Sequence, residues 1–398
     1  MTTFPDRIIR GRHYQTGQHV LIDIQGEKII AIHPNPHQEL KDDQMFVAPG
    51  LIDLQVNGFN GWDFNAYPML PQTIQEVTKA LWQQGVTSYL PTIISNSDEV
   101  TVQLLKVLSQ AHQADKMVAY SVRGIHLEGP FVSPIDGPRG AHDRRFVKAP
   151  DWSLFQYFQD AANGMIQLIT LSPEWDNAAK FIARCVENGV HVAIGHTAAS
   201  TKQIIEAVQA GASLSTHLGN GAHAVLPRHP NYIWDQLAND QLFASVIADG
   251  FHLPNSVLRV IKRVKQDKML LISDAVYLSG MQPGTYQTHI GGNVMLTADH
   301  GLFLTAHPEL LAGSVSPLIR GIDHLVTQGL ATLSEAWDMA SVQPAAYMQM
   351  ENAHGLTVGA PADLVIFHKR DHHHIQVLQV FQRGYLVYDA LTNETARK

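Results

Sequence analysis

The chain has 398 residues, 45% of them hydrophobic and 16% charged, and a formal net charge of -8. That balance provides enough apolar material for a sizeable core, and the negative charge argues against a nucleic-acid surface. No run of ~18 apolar residues offers a membrane span, and Met1–His13 lacks the apolar stretch of a secretory signal. The single cysteine, Cys185, has no internal partner for a disulfide, which suits a reducing, cytoplasmic setting.

In chain order, residues Arg7 to Arg10, His19 to Ile24 and Lys28 to Ile32 read as short strands, with Gly26 at a tight turn. Near the other end, Leu364 to Phe367 and Leu386 to Tyr388 are strand-like again, after the turn-rich Gly359-Ala360-Pro361-Ala362-Asp363. Both ends are expected to meet in one small β-sandwich domain, residues 1–50 with 355–398.

The character changes at Ala48-Pro49-Gly50. Residues Thr73 to Gln84 place Ile74, Val77 and Leu81 at helical spacing just after Pro71; Gly85 stops the helix, and Val86 to Leu90 forms the next strand. Residues Asp176 to Asn188 repeat the unit, with Phe181, Ile182, Cys185 and Val186 inward and Gly189 as the stop. Ser200-Thr201-Lys202-Gln203 matches a capping box. It opens a helix with Ile204, Ile205 and Val208 inward and Gly211 at its end. This alternation predicts an α/β protein whose parallel sheet is covered by helices. About 300 residues of it suit a TIM-like (β/α)8 barrel over residues 51–354. A doubly wound open sheet is the rival, but neither a Gly-x-Gly-x-x-Gly turn nor a Gly-Lys-Ser/Thr phosphate loop supports it. Cys185, on an inward helix face, reads as a core residue. His372-His373-His374 reads as a solvated loop, because neighbours on an extended chain alternate sides.

One device recurs along the barrel segment. The apolar run through Ile125 and Leu127 ends at Glu128; other runs end at His196, His217 and Asp274, and His252 follows Val246-Ile247-Ala248-Asp249-Gly250. In a parallel barrel such ends share one rim, where the loops build a site. Glu128, His196 and His217 make one carboxylate and two imidazoles. That set suits zinc in a hydrolase, with a fourth position left for water; other divalent ions remain open. Taken singly, each histidine also reads as a hydrogen-bonded strand-end residue, Asp274 as a helix N-cap and His252 as a surface-loop residue. The repetition points to a metal site.

The motifs His126-Leu127-Glu128-Gly129-Pro130-Phe131, Gly140-Ala141-His142, Gly195-His196-Thr197, Thr216-His217-Leu218, Ala248-Asp249-Gly250-Phe251-His252, Ser273-Asp274-Ala275 and Leu311-Ala312-Gly313-Ser314 occur in a familiar order. The chain resembles the N-acetylglucosamine-6-phosphate deacetylases of the amidohydrolase superfamily over essentially its whole length. The resemblance implies a homodimeric hydrolase that removes the N-acetyl group of a small-molecule amino-sugar 6-phosphate and holds one divalent metal ion, with Zn2+ expected. One ion rather than two is implied at the first barrel strand, where Gln55 and Asn57 stand in place of the His-x-His of two-metal relatives. The alternative is that both are satisfied polar side chains beneath the site.

The resemblance implies Glu128, His196 and His217 as ligands and Asp274 as the proton acceptor and donor, with His252 stabilising the oxyanion. It also implies that Ala141 and His142 contact sugar hydroxyls. Asn220, the Gly221 backbone and Arg228 would hold the phosphate, and Leu311 would line the acetyl pocket. The family pattern after the second histidine is close to His-Leu-x-Asn-Ala-Met, leading to Arg-x-Pro-Gly. Here the chain has His217-Leu218-Gly219-Asn220-Gly221-Ala222-His223, then Leu226-Pro227-Arg228-His229-Pro230-Asn231. This departure falls where the sugar and phosphate are expected. It leaves open N-acetylgalactosamine 6-phosphate, another N-acylated sugar, or a cyclic amide as substrate. A non-catalytic barrel is the reading from another class, and retention of all four strand-end residues counts against it.

Overall fold

Eight strands, Leu51–Val56, Val86–Ile94, Ile125–Glu128, Ile166–Leu171, His191–Ile194, Leu214–Ser215, Phe243–Val246 and Met269–Leu271, pair in sequence order and all in parallel. The sheet curls until its first and last members nearly meet: Val56 bridges Ala275 in parallel, and the Asn57 N–H donates to the Ala275 carbonyl at 2.8 Å. The chain is thus an α/β barrel of the TIM type. The computed structural model describes residues 6–35, 45–288, 292–369 and 374–390. Ile52, Leu54, Leu90, Leu168, Leu214, Leu270 and Ile272 come from strands on opposite sides of the barrel, yet form one buried cluster with Tyr347 and Ala345. They fill the barrel's lower interior and leave its upper rim to polar groups.

The helices form where the spacing predicts them. Pro71–Trp82 begins with its proline in the first turn, where the missing N–H costs nothing. Ser200 and Gln203 exchange both hydrogen bonds of a capping box at the head of Thr201–Gln209. In Ala178–Glu187, Ala178, Phe181, Ile182 and Cys185 are buried. Two expectations fail, one in each of these last two helices: Val186 and Ile205 are exposed, not inward. Each stands one residue beyond a buried neighbour, about 100° further round the helix and off the core stripe.

The expected union of the chain ends is present as one hydrogen-bonded seven-stranded sheet. Strand Leu364–Lys369 lies between Met45–Pro49 and Ile375–Gln382. Only Gly50 separates Met45–Pro49 from the first barrel strand; a Cβ at that position would run into the Thr87 side chain. Buried Trp337 stacks on Phe367 at 4.5 Å and donates to the Pro49 carbonyl at 2.8 Å, tying barrel to sheet. On this connectivity we propose residues 1–50 with 355–398 as one domain and 51–354 as the other. His372 and His373 lie outside the described residues, while His374 is exposed near Asp323. Among the described residues, no helix is long and apolar enough to cross a membrane.

One element was not expected. Gly284–Thr288, Gly292–Leu296, Leu302–Leu304 and His307–Leu311 form a separate four-stranded antiparallel sheet, inserted after the last barrel strand. Elsewhere, buried Lys265 donates to the Gln236, Asn239 and Leu242 carbonyls at 2.7–2.9 Å, which uses all three ammonium hydrogens. Lys265→Met is expected to remove the ammonium donor from all three carbonyls, leaving Gln236 and Asn239 only backbone N–H bonds of 3.4 and 3.2 Å. The loss is about 1–3 kcal/mol, read as a lower thermal unfolding midpoint.

Candidate active site

Glu128, His196, His217 and Asp274 lie at or just beyond the carboxyl ends of their strands, and His252 lies on the loop that follows Phe243–Val246. Three of these residues share a backbone feature that the sequence does not announce. His196, His217 and Asp274 have φ of 48°, 30° and 48°, a left-handed turn that bulky side chains rarely adopt. Such residues cost of order 1–3 kcal/mol each and cluster at functional sites.

The three expected ligands converge. Nε2 of His196 and Nε2 of His217 are 3.1 Å apart, at 3.2 and 3.0 Å from Oε1 of Glu128. Among the described residues this is the one group of three or more such side chains placed to hold a metal ion, and all three are buried. Donors about 2.0–2.1 Å from a tetrahedral zinc ion stand roughly 3.4 Å from one another, so the spacing fits. The tautomer fits as well. His196 Nδ1 donates to the Pro138 carbonyl at 2.9 Å, which leaves the Nε2 lone pair facing the centre. Glycines permit this crowding: a Cβ on residue 221 would stand 2.7 Å from His196 Nδ1, and one on residue 140 would stand 3.0 Å from its Cε1.

Electrostatics point the same way. Burial alone would raise Glu128, but the hydrogen bonds and charge of His196 and His217 hold its carboxyl well below the usual range. Burial likewise pulls His217 down, and Glu128 more than offsets it. The cluster favours positive charge at its middle, as a cation site must. Burial, reinforced by the charge of Glu128, pushes Asp274 up to about 6.

Gln55 and Asn57 take part directly. Gln55 Nε2 donates to Glu128 Oε1 at 2.9 Å, and Asn57 Nδ2 donates to Asp274 Oδ1 at 2.8 Å. Both hold a carboxylate of the site through their amide N–H groups, while the buried Oδ1 of Asn57 has no hydrogen-bond partner among the described residues. Asp249, which the sequence places in the same motif but gives no role, accepts from His252 Nδ1 at 2.8 Å and from the backbone N–H of residues 251 and 252. Its place three residues before His252 is the signal that would have found it. His126 is structural: it bonds the Leu54 carbonyl and Thr170, and burial lowers its pKa to about 4.

The remaining expected residues ring this centre at different depths. His142 is buried, bonded through Nδ1 to Ser95 at 2.8 Å and set edge-on to His196 at 4.5 Å, while Ala141 is exposed. Asn220 bonds back to the His217 carbonyl at 3.3 Å. Arg228 is exposed, and among the described residues its guanidinium has no partner; the side chain of Asn231 bonds the carbonyls of Pro227 and Arg228. Leu311 pairs with Phe303 in the inserted sheet, and Phe303 meets Phe251, the neighbour of His252, at 6.4 Å.

A parallel barrel that gathers a carboxylate, two imidazoles and an aspartate at its carboxyl rim defines a metal-dependent hydrolase. More particularly, the chain belongs to the amidohydrolase family, whose sequence profile matches residues 46–390. It is similar to the N-acetylglucosamine-6-phosphate deacetylase of Mus musculus, 31% identical over 357 residues that cover 86% of this chain and 84% of the relative. It is also similar to the N-acetylgalactosamine-6-phosphate deacetylase of Shewanella sp. (strain ANA-3), 31% identical over 359 residues, 89% of this chain and 86% of that one. Among solved structures, the N-acetyl-D-glucosamine-6-phosphate deacetylase of Mycobacterium smegmatis superposes with a TM-score of 0.82 at 26% identity, over 93% of this chain and 96% of that one.

Proposed function

We propose that the chain hydrolyses the N-acetyl group of an amino-sugar 6-phosphate, N-acetylglucosamine 6-phosphate first, releasing acetate and the free amine. The observation that carries this reading is the convergence of Glu128, His196 and His217 beside Asp274, joined to the deacetylases named above. One divalent ion, Zn2+ by its match to this donor set, would polarise the amide carbonyl there and lower the pKa of a water.

The chain's own residues do the rest. Asn57 occupies Oδ1 of Asp274, so Oδ2 is left to take the proton of the attacking water. As the C–O bond forms, negative charge gathers on the former carbonyl oxygen. His252 donates to that oxygen through Nε2, with Asp249 as counterion at Nδ1. Asp274 then passes its proton to the amine nitrogen as the C–N bond breaks, and its carboxylate is restored. Ala141 and His142 meet the sugar hydroxyls, and Leu311 closes the acetyl pocket. Asn220, Gly221 and Arg228 hold the phosphate, the guanidinium gripping two of its oxygens. The working form is a cytoplasmic homodimer.

A second reading, N-acetylgalactosamine 6-phosphate as the substrate, is favoured by the Shewanella relative and by the altered stretch 219–231. Acetate release across N-acetyl amino sugars, with and without the 6-phosphate, decides between them. Arg228→Ala is expected to raise KM for the phosphorylated sugar about 10- to 100-fold, a loss of roughly 1.5–3 kcal/mol for a charged hydrogen bond. KM for the unphosphorylated sugar should stay unchanged. An equal rise for both sugars would detach Arg228 from the phosphate.

A further inference from the structure

His223 and Tyr232 lie in the stretch where this chain departs from the deacetylase pattern, and neither has a part in the reaction above. The Tyr232 hydroxyl lies 2.8 Å from the His223 backbone N–H and 2.9 Å from its Nδ1. It accepts from the first, so its own hydrogen is free for the second. The residue is thereby fixed through both backbone and ring. Tyr232 is itself a firm post: it is 5% exposed and opens the helix Tyr232–Ala238, which the side chain of Asn231 caps.

His223 in turn lies against the turn that holds a metal ligand. A Cβ on Gly137, whose φ is +97°, would stand 3.2 Å from His223 Cα and 3.4 Å from its Cδ2. The next residue, Pro138, supplies the carbonyl that takes the His196 Nδ1 proton at 2.9 Å. From the other side, Gly221, two residues before His223, abuts the same imidazole. His196 is thus enclosed by two loops, 137–140 and 219–223, and His223 is where those loops touch.

We propose that His223 and Tyr232 form a clasp that positions His196 as a metal ligand, with Tyr232 the fixed half. They are positioning residues, since neither touches the reacting atoms. The inference rests on Glu128, His196 and His217 holding a metal ion.

The test measures Zn2+ affinity by competition with a chelator, without substrate, on the full chain. Tyr232→Phe and His223→Ala are each expected to weaken Zn2+ binding about tenfold, the lower end of what the outer partners of a ligand contribute. The double variant should be no weaker than either single one, because both break the same link. His223→Asn keeps an acceptor for the Tyr232 hydroxyl and should bind several-fold more tightly than His223→Ala, about as wild type does. Tyr232→Phe should stay folded without metal, its unfolding midpoint lowered only modestly by the loss of the two bonds to His223, so weaker Zn2+ binding is read on a folded chain. Wild-type affinity in Tyr232→Phe, or His223→Asn no better than His223→Ala, would overturn the clasp. Should His223→Ala fail to fold, Tyr232→Phe carries the test, since it keeps the ring's volume. A wild-type chain that takes up no Zn2+ would overturn the metal centre and the clasp together, whereas a loaded chain inactive on every amino-sugar phosphate would overturn only the substrate reading.

Discussion

Asp274→Asn is expected to bind its metal ion normally and to lose about 10³- to 10⁴-fold in kcat, the upper range for a positioned acid–base group. That corresponds to about 4–5.5 kcal/mol of transition-state stabilisation. The size follows from the double duty of one carboxylate, which takes a proton from water and then delivers it to nitrogen. An amide in its place has neither function, although it keeps nearly the same shape. KM should change little, because the ligands and the phosphate grip are untouched. Steady-state acetate release together with metal content checks this. Turnover within tenfold of wild type would place the proton shuttle on another residue.

His196→Ala should abolish activity through a different loss. It removes the Nε2 donor and leaves the Pro138 carbonyl and both flanking glycines facing a void. Outer partners of a ligand contribute 10- to 100-fold in metal affinity; a direct ligand is expected to exceed that, so metal content should fall well below one ion per chain. Because a tightly bound ion stabilises the folded state by about 4 kcal/mol at a thousand times its Kd, EDTA should lower the unfolding midpoint of wild type. It should leave that of the variant nearly unmoved. Stoichiometric metal in purified His196→Ala would remove this residue from the ligand set.

The barrel was legible because its units end in unambiguous punctuation. Apolar stripes at helical spacing stop at Gly85, Gly189 and Gly211, and each is followed by a short strand-like run in which apolar residues are interrupted by Ser, Thr or His. The site was legible because Glu128, His196, His217 and Asp274 each close such a run. What stayed hidden has particular causes. The left-handed turns at His196, His217 and Asp274 are not announced by residue type, because His and Asp, though enriched among such residues, mostly take ordinary backbone; the surrounding fold imposes the turn. The inserted sheet escaped notice because strands such as Gly284–Thr288 and His307–Leu311 are largely exposed and carry no alternation of apolar and polar residues. The partners of Gln55 and Asn57 lie 73 and 217 residues away along the chain. No local pattern reports contacts of that span.

The order of strands in the terminal sheet bears on biosynthesis. Met45–Pro49 finds one neighbour, Arg7–His13, already made when it is translated. Among the described residues, its other flank is covered by Leu364–Lys369, translated more than 300 residues later. Until Leu364–Lys369 is made, therefore, the nascent polypeptide presents a bare strand flank, the kind that recruits foreign strands into aggregates. A holdase chaperone at the exit tunnel would shield it, and a product truncated before residue 364 should precipitate even with every barrel strand complete.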